Sequence, residues 1–221
     1  MTIISANQVN KTVVTRQGPL QILSDISLSV KQGETLSILG SSGSGKTTLL
    51  SLLAGLDTPS SGKIFLLDSE ISSLSEEERT SLRLGRVGFV FQAFHLLPHL
   101  TALENVMLPM LLQEVKTAKQ QAYAILAKMG LEKRVDHLPK QLSGGEQQRV
   151  AIARAYVTRP KIIFADEPTG NLDIQTGEKI IKMLFDLNSE EKTTLIIVTH
   201  DKEIAKKTNL VIQLGAGKLD E

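Results

Sequence analysis

Gly40-Ser41-Ser42-Gly43-Ser44-Gly45-Lys46-Thr47 is the segment whose residue types and spacing most clearly imply chemistry. The apolar run Thr35–Leu39 precedes it, and Thr48-Leu49-Leu50-Ser51-Leu52-Leu53 follows with a helical pattern. Together they place the pattern GxxxxGK[ST] in the strand–loop–helix setting it requires. Glycines let the backbone wrap closely around a phosphate chain, while successive N–H groups and a helix N-terminus supply positive potential. Lys46 is expected to reach the β- and γ-phosphates of a nucleotide, with Thr48 continuing the cradle and the Thr47 hydroxyl ligating Mg²⁺.

A second run, Lys161-Ile162-Ile163-Phe164-Ala165-Asp166-Glu167, reads as a buried strand ending in two carboxylates. In a parallel sheet that end faces the ligand crevice. Asp166 is expected to hold Mg²⁺ through water, and Glu167 to orient and polarise a water attacking the γ-phosphate. Acidic residues end many strands without such a role, so it is the pairing with the phosphate loop that favours chemistry. A third run, Leu142-Ser143-Gly144-Gly145-Glu146-Gln147-Gln148-Arg149, opens a helical pattern. Ser143 explains itself as an N-cap, but a glycine costs a helix about 1 kcal/mol. Two of them imply that something approaches the backbone closely, and an anion at the helix start is the natural candidate.

This third run resembles the signature motif of the ATP-binding cassette (ABC) ATPases, and Ser143 and Asp166 stand at the spacing found in that family. The resemblance extends over nearly the whole chain. It implies that Gln92, after the run Val87–Phe91, is the glutamine that touches Mg²⁺ and the attacking water. It implies that Asp173, in Asn171-Leu172-Asp173, crosses a dimer interface, and that His200, after Leu195–Thr199, contacts the γ-phosphate. It further implies a homodimer in which two chains pair head to tail across ATP. Lys46, Thr47, Gln92, Asp166, Glu167 and His200 then come from one side, and Ser143, Gly144 and Gly145 from the other.

Within the family, Gly88-Phe89-Val90-Phe91-Gln92, Leu96-Leu97-Pro98, Leu103-Glu104-Asn105-Val106 and Ala165–Asp173 resemble the lipoprotein-release and macrolide-export branch. The run Arg134-Val135-Asp136-His137-Leu138-Pro139 is similar to the YbbA-like proteins of that branch. The branch implies a peripheral subunit on the cytoplasmic face of the inner membrane. There it would drive an integral membrane permease that carries a periplasmic domain, with the surface near Gln92–Leu100 passing on the motion. The alternative is a soluble ABC ATPase acting on a non-membrane partner. One departure from the family stands out. An aromatic that stacks on adenine usually precedes the phosphate loop, but here Asn10-Lys11-Thr12-Val13-Val14 occupies its place, and no aromatic occurs before Phe65. Val13 in that place implies weaker ATP binding.

The elements that must position these residues are legible. Short apolar runs (Ile26–Val30, Thr35–Leu39, Lys63–Leu67, Val87–Phe91, Ile162–Ala165, Leu195–Thr199 and Leu210–Leu214) alternate with helical patterns, the mark of an α/β protein with a mainly parallel sheet. Gly215-Ala216-Gly217 reads as a hairpin turn. Ser75 with Glu78, Thr101 with Glu104, Thr117 with Gln120 and Ser143 with Glu146 have capping-box spacing, and Gly55 and Gly130 read as helix stops. Residues 93–141 show no strand pattern, only helices expected near Thr101, Thr117 and Leu131. These patterns give an α/β fold class, and the resemblance implies that it is a P-loop NTPase core of the ABC type. It would form a single domain over 1–221: an α/β core from 1–92 and 142–221 with an N-terminal antiparallel β subdomain, and an inserted helical subdomain over 93–141.

Several features call for the bland reading. His95 and His99 are separated by Pro98, which breaks the helix a metal pair would need. Lys116, Lys119 and Lys128 read as a solvated face, and Tyr123 and Tyr156 as packing. The 221 residues carry Lys+Arg 25 against Asp+Glu 24, a net charge of +1 that lacks the footprint of a nucleic-acid binder. With no cysteine, disulfide scaffolds, zinc ribbons and thiol catalysis are excluded. The first residues lack a basic segment leading into an apolar one, so no signal peptide is expected. No apolar stretch approaches the ~20 residues that span a bilayer.

Overall fold

A computed structural model describes residues 1–16 and 18–220. The chain opens with two long strands, β1 (Thr2–Thr15) and β2 (Gly18–Lys31), followed by β3 (Thr35–Leu39) and α1 (Lys46–Leu53). Then come β4 (Ser61–Leu66), the short β5 (Ser69–Glu70) and α2 (Glu76–Arg83). Next are β6 (Val87–Phe91), α3 (Ala102–Leu111), α4 (Ala118–Lys128), α5 (Gly144–Tyr156), β7 (Ile162–Asp166) and α6 (Ile174–Glu191). The chain closes with β8 (Thr194–Thr199), α7 (Lys202–Ala205), β9 (Leu210–Gly215) and β10 (Lys218–Leu219). Two compact units result, one built from Met1–Arg83 with Thr194–Glu221 and the other from Leu84–Thr193.

In the first unit, the antiparallel β1–β2 hairpin joins β4 and β5 in the order β2-β1-β4-β5. The alternation read in Ile26–Val30 is realised: Ile26 and Val30 are fully buried while Ser27 and Ser29 are exposed. A second layer runs β10-β9-β3-β8, with β3 parallel to both β8 and β9. Every residue of β3 and β8 is buried, as befits parallel strands covered on both faces. The hairpin at Gly215-Ala216-Gly217 joins β9 to β10, with Ala216 and Gly217 both at positive φ (45° and 78°), the twist a tight antiparallel turn prefers.

In the second unit, β6 pairs in parallel with β7, and α5 packs on β6. Three of the four capping boxes form as expected: Ser75 with Glu78, Thr101 with Glu104 and Ser143 with Glu146. Gly55 and Gly130, at φ 68° and 69°, stop α1 and α4. The fourth box does not form. Thr117 sits at φ −94°, ψ 15° rather than in the extended region a cap requires. The chain is already turning there, with Ala118 N–H bonded to the Val115 carbonyl, and the Thr117 hydroxyl accepts from the Gln121 side chain instead.

The helix expected near Leu131 is also absent, and residues 131–137 form successive turns. The carbonyls that a helix there would use internally are taken by α3. Ala102 N–H bonds His137 O and Leu103 N–H bonds Val135 O, each at 2.9 Å. The first amides of a helix have no internal acceptor, and this segment supplies two.

Candidate functional site

The phosphate loop begins where β3 ends. A Cβ on Gly40 would lie 2.4 Å from the Leu214 carbonyl oxygen and 2.5 Å from Ser44 Oγ, so only glycine lets the chain leave the strand here. Gly43 and Gly45 take positive φ (79° and 100°), and nothing lies within 4 Å of a Cβ on Gly43, whose side of the loop is open. Lys46 is buried, and its ammonium donates to the Gly40 and Ser41 carbonyls at 2.9 Å each. Gly45 is the N-cap of α1 and provides no side-chain cap. The first helical bond is Leu49 N–H to Gly45 O, so the positive end of α1 opens onto the loop. Ser44 Oγ is buried without a hydrogen-bond partner. A left-handed loop, a cationic side chain threaded beneath it, an uncapped helix start and an orphaned hydroxyl together form a cradle for an anion. Ser41, Ser42 and Thr47 are exposed on it, with Leu49, Leu50, Leu52 and Leu53 anchoring the helix behind.

His200 belongs to the same unit. β3 and β8 are in register at Leu39↔Thr199, so Gly40 and His200 leave neighbouring parallel strands at one level. His200 is exposed, and the chain after it is fixed. Asp201 N–H donates to Thr199 Oγ1 at 3.0 Å, while the Asp201 carboxylate caps α7 by accepting from Glu203 N–H at 2.8 Å.

The second unit holds the other expected residues. β6 and β7 are in register at Phe91↔Asp166, so Gln92 and Glu167 leave adjacent strands side by side. Asp166 is half-buried at its strand end. Glu167 takes φ 43°, a left-handed conformation costly for a side-chain-bearing residue and characteristic of functional turns. The turn is held by Gly170 N–H to Glu167 O at 3.0 Å, and by the buried Gln148 amide, which donates to the Pro168 carbonyl at 2.6 Å.

Gln92 and Asn171 exchange hydrogen bonds: Gln92 Nε2 donates to Asn171 Oδ1 at 3.1 Å, and Asn171 Nδ2 donates to the Gln92 carbonyl at 3.0 Å. Asp173 is exposed and caps α6, accepting from Thr176 N–H at 3.0 Å, and hydrogen bonds from the Thr176 side chain and then its backbone lower the Asp173 pKa.

At the start of α5, Ser143 Oγ accepts from Glu146 N–H while Ser143 N–H donates to Glu146 Oε2 at 2.8 Å. Arg134 Nε donates to the other Glu146 oxygen at 2.9 Å. Gly144 and Gly145 are partly exposed, and the close approach their presence implied is in part internal. A Cβ on Gly145 would lie 2.6 Å from Thr176 Cγ2 of α6.

The segment after Gln92 is held by side chains whose roles the sequence did not disclose. Phe94 and His95 both take positive φ (60° and 48°), and Arg154 of α5 donates to both carbonyls, at 3.0 and 2.7 Å. Burial lowers the Arg154 pKa. Fully buried Asn105 accepts from Leu97 N–H and donates to the carbonyls of Leu97, Leu100 and Thr101. The Arg154 contact has no local spacing signal, because it joins a helix to a loop 59 and 60 residues away, whereas Asn105 closes back on the turn just before its own helix.

Of the features read as bland, Tyr156 is buried, while Tyr123 on α4 is about half covered, at 49% exposure. Lys116 and Lys119 are solvated, while Lys128 pairs with Glu190 of α6. Val13 is half-exposed opposite Leu20 on the β1–β2 hairpin, beside fully solvated Val14.

This arrangement matches known proteins along its whole length. The family described as ABC transporter matches residues 23–170. The chain is 52% identical over 221 residues to the ABC transporter ATP-binding protein YbbA of Escherichia coli (strain K12), covering 99% of this chain and 97% of that protein. It is 46% identical to the lipoprotein-releasing system ATP-binding protein LolD of Xanthomonas campestris pv. campestris (strain 8004), covering 99% and 92%. Among solved structures, the fold superposes with a TM-score of 0.92 on the dimeric post-hydrolysis state of the ATP-binding cassette MJ0796 bound to ADP and Pi, at 40% identity and 99% and 97% coverage. The chain belongs to the ABC transporter family, as an ATP-binding subunit of the branch that contains YbbA and LolD. It binds and hydrolyses ATP.

Proposed function

We propose that this chain is the ATP-hydrolysing subunit of a transporter whose work is export, lipoprotein release or the transmission of motion across the inner membrane. It would be a peripheral protein on the cytoplasmic face. The observation that carries the reading is the left-handed phosphate loop closed over Lys46, taken with full-length likeness to a lipoprotein-releasing ATPase. Two copies pair head to tail around ATP. Residues Gly40 to Thr48 bind the phosphates; Ser143, Gly144 and Gly145 of the opposite copy bind the γ-phosphate at the positive end of α5. Asp173 approaches the nucleotide from across the interface.

The oxygen donors offered by Thr47, Gln92 and Asp166 suit Mg²⁺, which prefers hard oxygen ligands. Held there with ATP, Mg²⁺ would supply positive charge to offset that of the phosphates. Glu167, presented by its strained turn, accepts a proton from the attacking water, and His200 steadies the γ-phosphate. ATP closes the dimer and hydrolysis reopens it. The segment 92–100, held by Arg154 and Asn105, passes the change to an integral membrane permease with a periplasmic domain. Among the described residues, no helix is long and apolar enough to cross a membrane, so spanning falls to that partner.

The test uses tagged Glu167→Gln held with ATP and Mg²⁺, as a purified protein and in detergent-solubilised membranes of the source cell. The expected result is a dimer that hydrolyses ATP very slowly and captures an integral membrane protein in fixed ratio, the capture being lost with Lys46→Ala. Normal turnover would remove Glu167 from the catalytic role. Capture of soluble partners alone would move the assignment to a soluble ABC ATPase.

A further inference from the structure

Gln92 carries a carboxamide whose two ends are chemically opposite: Oε1 can ligate a cation or accept a hydrogen bond, and Nε2 can only donate. Which end faces a ligand is decided by what holds the other. The Gln92 backbone carbonyl accepts from Asn171 at 3.0 Å, and since a carbonyl can only accept and Nδ2 is the donor end of the asparagine carboxamide, Asn171 must present Nδ2 there. Asn171 Oδ1 is thereby turned to the Gln92 side chain, where it accepts from Nε2 at 3.1 Å. Oε1 becomes the end of Gln92 directed away from Asn171. The pair is seated by a glycine, because a Cβ on Gly170 would lie 2.7 Å from Gln92 Nε2 and 2.9 Å from Cδ, in the space the carboxamide occupies.

We propose that Asn171 is a positioning residue for ATP hydrolysis: its reciprocal amide pair with Gln92, seated against Gly170, sets the Gln92 carboxamide with Oε1 outward, the only end that can ligate Mg²⁺ or accept from the attacking water. This rests on the role given above to Gln92. The pair also links the end of β6 to the loop that leads into Asp173, two residues beyond Asn171. A second copy arriving at that loop would therefore act on the orientation of Gln92 through one pair of hydrogen bonds.

The experiment compares calorimetric affinities for ATP with EDTA and for ATP with Mg²⁺, in a Glu167→Gln background where hydrolysis does not intervene. Asn171→Ala and Asn171→Leu should bind metal-free ATP as the background does, which also reports that they are folded. Their gain in affinity on adding Mg²⁺ should fall by about tenfold, the lower range for residues that orient metal ligands. The Leu variant matters because it keeps the approximate shape but loses both the acceptor and the N–H that make the pair. Gly170→Ala, which leaves both partners intact and displaces the carboxamide, should show the same loss.

In a chain that also carries Gln92→Ala, replacing Asn171 should change the Mg²⁺ gain less than twofold, since a residue acting only through its partner has no effect once the partner is gone. An undiminished Mg²⁺ gain in both Asn171 variants would overturn the proposal, as would a loss that persists in full without Gln92. Failure of the Glu167→Gln background itself to bind Mg²⁺·ATP would instead overturn the functional reading beneath it.

Discussion

Replacing Glu146 with Gln removes one charge from the start of α5 and little else, since glutamine retains the length and an oxygen that can accept from Ser143. The Ser143 N–H, bonded at 2.8 Å, is the main reason the Glu146 carboxyl is held at about 2 against an ordinary 4.5. Partial burial opposes that effect and the Arg134 guanidinium reinforces it. A carboxyl lowered that far corresponds to a ceiling of about 3 kcal/mol at neutral pH.

Solvent reduces the figure, because the Glu146 and Arg134 side chains are 18% and 46% exposed. An exposed ion pair is worth about 0.2–1 kcal/mol, and a negative charge on the first turn of a helix about 0.3–1 kcal/mol. Glu146→Gln should therefore cost about 1–1.5 kcal/mol at pH 7. The folded-state pKa is depressed, so the contribution is complete above about 4.5 and is lost as pH falls from there toward 2. Urea titrations of both proteins at pH 7 and pH 3 should show the difference shrinking to less than half at the lower pH. A difference that stays constant or grows at pH 3 would refute the account, and one insensitive to salt at pH 7 would remove the Arg134 share.

Further outcomes follow from particular contacts. Arg154→Met should destabilise by about 2–3 kcal/mol, since two charge-assisted bonds are lost while an expensive buried cation is also removed. Hydrogen exchange at residues 94–97 should quicken in that variant, and unchanged exchange would show that the left-handed Phe94–His95 turn holds without Arg154. Gly88→Ala places a Cβ 2.5 Å from both the Ala155 carbonyl and Ile163 Cδ1, so β6 must move from α5. A thermal melt should register a loss of about 1–3 kcal/mol, and an unshifted midpoint would contradict the close approach. Val13→Tyr should tighten ATP binding by about tenfold, at the low end of the 1–3 kcal/mol of a base–aromatic stack; equal affinities would remove Val13 from the adenine contact.

The parts of this protein that were legible in its sequence are those whose physics is local. The phosphate loop is a run of consecutive residues whose left-handed glycines, lysine and helix start need no distant partner to be recognised. The boxes at Ser75, Thr101 and Ser143 close within four residues, and Gly55 and Gly130 end helices by their own backbone freedom. The strand ends at Leu39, Phe91, Asp166 and Thr199 follow from apolar runs, and placed the expected site residues at strand termini.

Tertiary structure decided what depends on competition for the same donors and acceptors. Thr117 had the spacing of a cap, but a turn begun at Val115 held it out of the extended conformation. Residues 131–137 had a helical pattern, but α3 claimed the carbonyls of Val135 and His137. Gly145 implied a close neighbour, and only packing revealed Thr176 as one. Arg154 and Asn171 bond to loops far from them in sequence. A hydrogen bond of that kind carries no periodicity, because its partner is chosen by the path of the folded backbone and not by its place along the chain.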